Sequence, residues 1–189
     1  MVYDDVTEKK KAEDHLRLSA TVFENTTEGV IITDSNAVIV EVNRAFTEIT
    51  LYSREEAIGN KVSMLQSGRH DKSFYQNIWS SIKQTGMWRG EIWDRKKDGT
   101  IYPEWLNISV VKDDEGEVTN YVAVFTDISA LKRSQERLDY LAHHDALTDL
   151  PNRLLFDALL NQSLNHAQRN KKGVAVVFID LDRFKNIND

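Results

Sequence analysis

The order of strand-like and helix-like segments predicts an α+β fold, with one antiparallel sheet and helices on one side of it. Two short strand-like runs open the region, several helical segments follow, and three longer strand-like runs with tight turns close it. A charged helix with an apolar seam comes next and leads into a further helix and an apolar run. The sequence therefore predicts one complete domain, a helical linker and the start of a second domain of the α/β type.

Length and composition exclude several classes of protein. The 189 residues suffice for one or two domains with buried cores. The sequence has no cysteine, which excludes disulfides, thiolate catalysis and cysteine-based metal sites and fits a cytoplasmic location. A net charge of −6 argues against nucleic acid as a partner. No apolar run is long enough to span a membrane, and an anchor upstream in a longer parent is left open.

The first half of the domain reads as a helix, a hairpin and short helices. A helix is predicted over 8–25, and a hairpin follows in which V-I-I-T and V-I-V-E-V are joined by a turn at 34–36. Helical spacing recurs over 43–51, and Ser53 with Glu56 forms a capping box for a one-turn helix.

The second half of the domain reads as one longer helix and three strands. Asp71 can cap the helix, Gly86 ends it, and apolar residues recur in it every four positions. Turns rich in aspartate and glycine separate the strands. The strands are predicted at 87–94, 100–111 and 118–127.

The linker helix carries an apolar seam. Leu131 and Leu138 are seven residues apart, as are Ser134 and Leu141, with charged residues outside this line. Such spacing predicts a parallel coiled coil that holds the protein as a homodimer.

A related pattern stands at the N-terminus. The segment 2–16 matches 124–138 at a constant offset, so that Asp5 aligns with Asp127 and Leu16 with Leu138. We interpret residues 1–18 as the end of a preceding module and its outgoing helix.

Four motifs identify the complete domain by resemblance. Together with the order of elements, they resemble a PAS domain, a sensory module common in bacterial signalling, over about 19–129. The resemblance implies a five-stranded antiparallel sheet around a pocket that holds haem, flavin, a small acid or nothing. It also implies that Asp127 ties the last strand to the linker helix, 130–144. The motifs are N-R-A-F (43–46), Y-S-R-E-E-A-I-G (52–59), R-K-K-D-G-T (95–100) and D-I-S (127–129).

Within the domain, the region around Trp88 resembles flavin-binding PAS domains of bacterial redox sensors. That resemblance implies an FAD site in which Trp88 packs against the isoalloxazine ring and polar groups after it hydrogen-bond the ring. Asp94 departs from the pattern, since these sensors carry asparagine there and an ionised carboxylate only accepts hydrogen bonds. The residues implied for the cofactor site are Arg69, His70, Trp79, Trp88 and Asp94.

Two of these features have alternative interpretations. The tryptophans at 79, 88, 93 and 105 are expected in and around the pocket, where ordinary core packing also explains them. His70 is a haem ligand, a contact to a cofactor phosphate beside Arg69, or a surface residue at a helix start.

The last part of the chain suggests a metal and phosphate site. The apolar run V-A-V-V-F-I-D delivers Asp180 and Asp182 to its end, where carboxylate oxygens suit Mg²⁺. A solvated loop is the simpler interpretation of such a pair alone.

Together with H-H-D-A-L-T-D-L-P-N-R (143–153), this pair resembles the start of a GGDEF (diguanylate cyclase) domain over 145–189. The resemblance implies that Asp180 ligates Mg²⁺ through its carboxylate and Leu181 through its carbonyl. Phe184 and Lys185 would lie beside the triphosphate of GTP, and Asn188 would read the guanine edge. The early residues Asp145, Asn152 and Arg153 would be structural.

The predicted function is a cytoplasmic sensor that controls cyclic di-GMP synthesis from GTP through a dimeric helix. The signalling residues are then Asp127, Leu131, Leu138 and Leu141. The sequence contains no GG(D/E)EF loop, so we expect this chain to be inactive by itself and its run at 174–180 to be marginally ordered. The alternative is a non-catalytic dimerisation module joined to a degenerate, GTP-binding GGDEF domain.

Overall fold

The structure is a computed structural model that describes residues 4–179. The chain divides into two compact units, Met1–Lys132 and Arg133–Asp189. Within the described residues, no helix combines the length and the apolar character that a membrane crossing requires.

One antiparallel sheet dominates the first unit. Its five strands lie in the order β2-β1-β5-β4-β3, and every neighbouring pair is antiparallel. The sheet confirms the predicted fold class. The strands are β1 (Gly29–Asp34), β2 (Ile39–Val42), β3 (Met87–Arg95), β4 (Ile101–Lys112) and β5 (Val118–Asp127).

Helices lie before and between the strands along the chain, and their side chains complete the hydrophobic core. A 3₁₀ turn at Val62–Leu65, which the sequence did not predict, lies between α3 (Arg54–Ala57) and α4 (Lys72–Thr85). Burial concentrates on one face of the sheet, where residues of all five strands pack against α2, α3 and α4. The helices of this unit are α1 (Asp4–Asn25), α2 (Arg44–Thr50), α3 (Arg54–Ala57) and α4 (Lys72–Thr85).

The fully buried Asn43 fixes the start of α2 against the sheet. Its side-chain oxygen accepts from the backbone N–H groups of Phe46 and of Val30. Its amide donates to the carbonyls of Phe23 and Glu28. One buried amide therefore caps a helix and joins three segments, which explains the polar residue that opens N-R-A-F.

The predicted caps of the other helices are present. Ser53 and Glu56 form both hydrogen bonds of a capping box at α3. Asp71 accepts from the N–H of Phe74 at the start of α4, and Gly86 closes that helix with a φ of 79°. These caps orient α4 so that one of its faces covers the sheet.

The two segments that align in sequence differ in secondary structure at their aspartates. The helix α1 already includes Asp5, whereas Asp127 ends a strand and α5 (Ser129–His143) begins two residues later. The aligned aspartates therefore occupy different kinds of element.

The second unit contains a capped turn and one long helix. Asp145 accepts from the backbone N–H and the hydroxyl of Thr148. Asn152 donates to the carbonyl of Ala142 and caps the helix α6 (Arg153–Arg169). The predicted strand is not formed in its described part, since residues 174–179 adopt no regular structure and are exposed.

Candidate functional site

A cavity of about 320 Å³ lies in the first unit, between the sheet, α4 and the segment around the 3₁₀ turn. Its size is near the lower end for small-molecule sites. Polar residues at its exposed rim include Asn36, Lys61 and Ser63. Its walls are apolar and are formed by Ile31, Leu65, Ile78, Ile92, Leu106 and the ring of Trp79.

Two acidic side chains reach the inner wall of this cavity. Asp94 on β3 is 7% exposed and Glu104 on β4 is 2% exposed. They share the inner face of the sheet because Asp94 pairs with Tyr102 and Ile92 pairs with Glu104, and alternate residues of a strand point to the same side. Tyr75 on α4 lines the same cavity.

The hydrogen bonds of this acidic pair are incomplete. The hydroxyl of Tyr102 donates to Glu104 at 2.6 Å. Neither Oδ1 of Asp94 nor the hydroxyl of Tyr75 has a hydrogen-bond partner among the described residues. A buried polar atom without a partner costs free energy, so the cavity wall holds hydrogen-bonding capacity that the protein itself leaves unused.

Burial changes the acidity of both carboxyl groups. It raises the pKa of Asp94 to about 7. Burial, followed by repulsion from Asp94 and Asp127, raises the pKa of Glu104 well above its usual value. Burial and the neighbouring charge of Glu104 likewise raise the pKa of the Tyr102 hydroxyl.

A third carboxylate, Asp127, connects this wall to α5. It lies directly opposite Glu104 in the register of β4 and β5. Its Oδ1 accepts from the backbone N–H of Ser129 at 2.9 Å, and its Oδ2 accepts from Nζ of Lys96 at 2.9 Å. Burial opposes ionisation of Asp127, but these hydrogen bonds lower its pKa overall.

A second ion pair holds the first turns of α5 against the sheet. Nζ of Lys132 lies 2.6 Å from a carboxylate oxygen of Glu91 on β3. The same ammonium group lies 5.5 Å from the ring centre of Trp93. The base of α5 is thus joined to β3 as well as to β5.

Of the five residues predicted for a cofactor site, Trp79 and Asp94 line the cavity. Trp88 lies beside it in the core, with its ring edge-to-face against Phe74 at 6.4 Å. A Cβ atom at Gly90 would come within 2.8 Å of the Trp88 ring. That glycine therefore makes room for the indole next to β3.

Arg69 and His70 are not part of the cavity lining. The guanidinium of Arg69 stacks on Trp93 at 3.9 Å. His70 stacks on Phe74 at 3.9 Å, and its Nε2 accepts from the backbone N–H of Trp93. Burial lowers the pKa of this imidazole, in keeping with its acceptor role.

The expectation that all four tryptophans surround the cavity is wrong for two of them. Ile92 and Asp94 point inward from β3, so Trp93 between them points to the outer face. Trp105 is 50% exposed between the inward residues Glu104 and Leu106 of β4. The alternation of side chains along a strand decides on which face of the sheet each tryptophan lies. Proximity in sequence to the cavity residues does not decide it.

Sequence reasoning missed Glu104, Tyr75 and Tyr102. A usable signal was present in I-Y-P-E-W-L at 101–106, where alternation places a carboxylate between two apolar inward residues. Tyr75 carried no comparable signal, because its position depends on the packing of α4.

The residues predicted for Mg²⁺ and GTP lie outside the described residues. They are Asp180, Leu181, Phe184, Lys185 and Asn188.

Comparisons with known proteins assign both parts of the chain. Residues 27–130 match the family model for the PAS domain, and residues 142–189 match the model described as diguanylate cyclase, GGDEF domain.

Two curated relatives cover much of the chain. The cyclic di-GMP phosphodiesterase PdeR of Escherichia coli is 31% identical over 85% of this chain and 24% of its own length. A nitrogen fixation regulatory protein of Klebsiella oxytoca is 29% identical over 67% of this chain and 26% of its own length. The chain thus spans about a quarter of the length of these relatives.

Solved structures share the fold of the first unit. The PAS domain of a Colwellia psychrerythraea protein aligns with a TM-score of 0.58 and 24% identity, covering 61% of this chain and 98% of that one. A light-oxygen-voltage domain studied with a flavin analogue aligns with a TM-score of 0.50 and 23% identity, covering 58% of this chain and 87% of that one.

A five-stranded antiparallel sheet that encloses a small-molecule cavity with its helices, and whose last strand leads into a helix, is the architecture of a sensory module in signal transduction. The chain belongs to the PAS domain family and continues into the start of a GGDEF domain. This order of domains is that of a sensor joined to a domain of cyclic di-GMP metabolism.

Proposed function

We propose that the PAS domain of this chain senses a small molecule and thereby controls a diguanylate cyclase that makes cyclic di-GMP from GTP. The whole cyclase would use Mg²⁺ to stabilise the charge that develops during phosphoryl transfer. The residues that would hold the metal and the nucleotide, Asp180 to Asn188, remain predictions from the GGDEF resemblance.

One observation carries this proposal. Asp127 lies opposite the cavity carboxyl group of Glu104 and at the same time accepts from the N–H of Ser129 at the start of α5. A change in charge at Glu104 therefore acts on a residue that fixes the helix leading to the cyclase domain. Lys96, bound to the other oxygen of Asp127, transmits the same change to the end of β3.

Cyclic di-GMP formation by the protein with its complete GGDEF domain tests the proposal. Nucleotide products formed from GTP and Mg²⁺ would be separated and identified by mass. We expect cyclic di-GMP from the intact protein, and an altered basal rate or response to the sensed ligand for Asp127→Ala. The matched control is Glu117→Ala on the exposed turn before β5. Product formation unaffected by Asp127→Ala would refute the coupling route.

Dimerisation through the linker belongs to the same proposal. Leu131 and Leu138 are 65% and 68% exposed, and Leu141 is 41% exposed. Apolar side chains seven residues apart and open to solvent on one helix support a partner helix along this seam. A homodimer would also bring two cyclase domains together, each carrying one GTP.

FAD in the PAS cavity is the competing hypothesis for the ligand. The resemblance to flavin-binding redox sensors and the light-oxygen-voltage neighbour support it. The lining provides only part of the site implied by that resemblance, because Trp79 and Asp94 line the cavity whereas Trp88, Arg69 and His70 lie outside it. A visible flavin absorption band in purified protein would favour FAD. Trp79→Ala would then release the flavin more readily than Trp88→Ala.

A further inference from the structure

The acidic pair of the cavity has no cationic partner within the described part of the protein. None of the ion pairs among the described residues includes Asp94 or Glu104. The nearby Lys96 is bound to Asp127, and Lys61 lies at the exposed rim. Two buried carboxyl groups without a cation are unfavourable when ionised.

Hydrogen-bonding capacity in the same place is also unused. Oδ1 of Asp94 is fully buried, lacks a partner, and belongs to a side chain that lines the cavity and is 93% buried. Tyr75 also lines the cavity, and its buried hydroxyl lacks a partner as well. Two groups of cavity-lining residues thus hold hydrogen-bonding capacity that the protein itself leaves unused.

The remaining walls of the cavity indicate what kind of molecule it can hold. Apolar side chains of the sheet and α4 surround the acidic pair, and the ring of Trp79 lies among them. An aromatic face attracts cations, and an apolar wall favours an apolar body. A hydrated metal ion would leave these walls without contacts.

We propose that this cavity binds a small organic cation, with an ammonium or amidinium group held by Asp94 and Glu104 and an apolar body against Trp79. The inference deepens the proposed sensing function and rests on it for its biological meaning. Binding itself is a property of the PAS domain and does not require the cyclase.

Ligand binding would also change the charge next to α5. Because burial keeps the pKa of both carboxyl groups high, a cation that stabilises their ionised forms displaces protons from them. Glu104 then becomes negative opposite Asp127. The other titratable groups that face the pair are Tyr75 from α4, Tyr102 from β4 and the Asp127–Lys96 ion pair.

The test compares phenethylamine with its neutral isostere 2-phenylethanol, using the 189-residue protein and isothermal titration calorimetry at pH 7. The amine should bind roughly tenfold or more tightly than the alcohol, because hydrogen bonds to charged groups contribute more than neutral ones. Asp94→Asn and Glu104→Gln should each abolish that preference. The matched control Glu117→Gln, at an exposed carboxylate, should keep it.

A second measurement separates binding at the acidic pair from nonspecific attraction. Titrations in buffers of different ionisation enthalpy should show proton release on amine binding at pH 6, where the Asp94 carboxyl group, with its pKa of about 7, is largely neutral in the free protein. Equal affinity for amine and alcohol, or a preference unchanged in both variants, would overturn the proposal. So would a flavin that copurifies in the cavity. Neither binding measurement depends on cyclic di-GMP formation. A negative binding result would therefore not contradict the proposed cyclase function, and a protein without cyclase activity could still bind the amine.

Discussion

Glu104 lies directly opposite Asp127 in the β4–β5 register, so the most buried acid of the cavity is a cross-strand neighbour of the residue that holds the start of α5. The cavity wall formed by β4 is therefore adjacent to β5, the strand that leads into α5. Directly opposite side chains in an antiparallel pair lie within about 5.5 Å at Cβ. A charge that forms on the Glu104 carboxyl group therefore interacts electrostatically with the Asp127 carboxylate.

Asp127→Ala should destabilise the first unit and loosen the start of α5. The substitution removes the acceptor for the Ser129 N–H and the partner of Lys96, whose side chain is 20% exposed. Loss of a helix-start acceptor and a partly buried ion pair should lower the free energy of unfolding by about 1–2 kcal/mol. Urea denaturation measures this change. A loss no larger than that of Glu117→Ala would contradict it.

Asp94→Asn should make stability less dependent on pH. The pKa of Asp94 is raised to about 7 in the folded state, so its neutral form favours folding at low pH, and this contribution is lost as pH rises from about 4 to about 7. The variant lacks that loss and should be more stable than the wild type at pH 8 by a few kcal/mol. Glu104 follows the same sign.

Thermal denaturation between pH 5 and pH 8 checks this difference. The lowered pKa of His70 works in the opposite direction, because the neutral form of this partly buried imidazole is favoured at high pH. That contribution is common to both proteins and cancels in their difference. A stability gap that stays constant across the range would show that Asp94 does not titrate there.

Much of the fold follows from local patterns in the sequence. The capping box at Ser53, the cap at Asp71 and the turn glycine Gly86 are local signals, and the structure has all three. Strand alternation would also have placed Glu104 inside and Trp105 outside.

The cavity lining is less predictable because distant contacts decide it. The path of 66–70 depends on a bridge between Gln66 and Asp94 and on the hydroxyl of Ser67, which donates to the Trp93 carbonyl. These contacts turn Arg69 towards the outer face. A motif can therefore name residues near a site without showing on which side of the sheet they lie.

Leu138→Asp should convert a dimer into a monomer. The residue is 68% exposed on α5, so a charge there should not destabilise the fold of either unit. In a dimer, the same charge would lie in the apolar seam between the two helices and disfavour their association. Light scattering measures the mass. Arg133→Asp, also on α5 but outside the seam, is the matched control and should remain dimeric. A dimer that survives Leu138→Asp would mean that another surface holds the assembly.

The apolar run 174–179 should exchange its amide hydrogens rapidly in the monomeric Leu138→Asp protein. Val177, Phe178 and Ile179 are 78–89% exposed and form no strand, although their sequence has strong β propensity. A buried parallel-type strand needs neighbours on both edges, and the described residues of the second unit provide none. Exchange in β5 of the same sample gives the internal standard, since that strand is paired on both edges. Protection of 174–179 equal to that of β5 would show that the run finds partners within one chain, whereas protection that appears only in the dimer would show that it borrows them from a second chain.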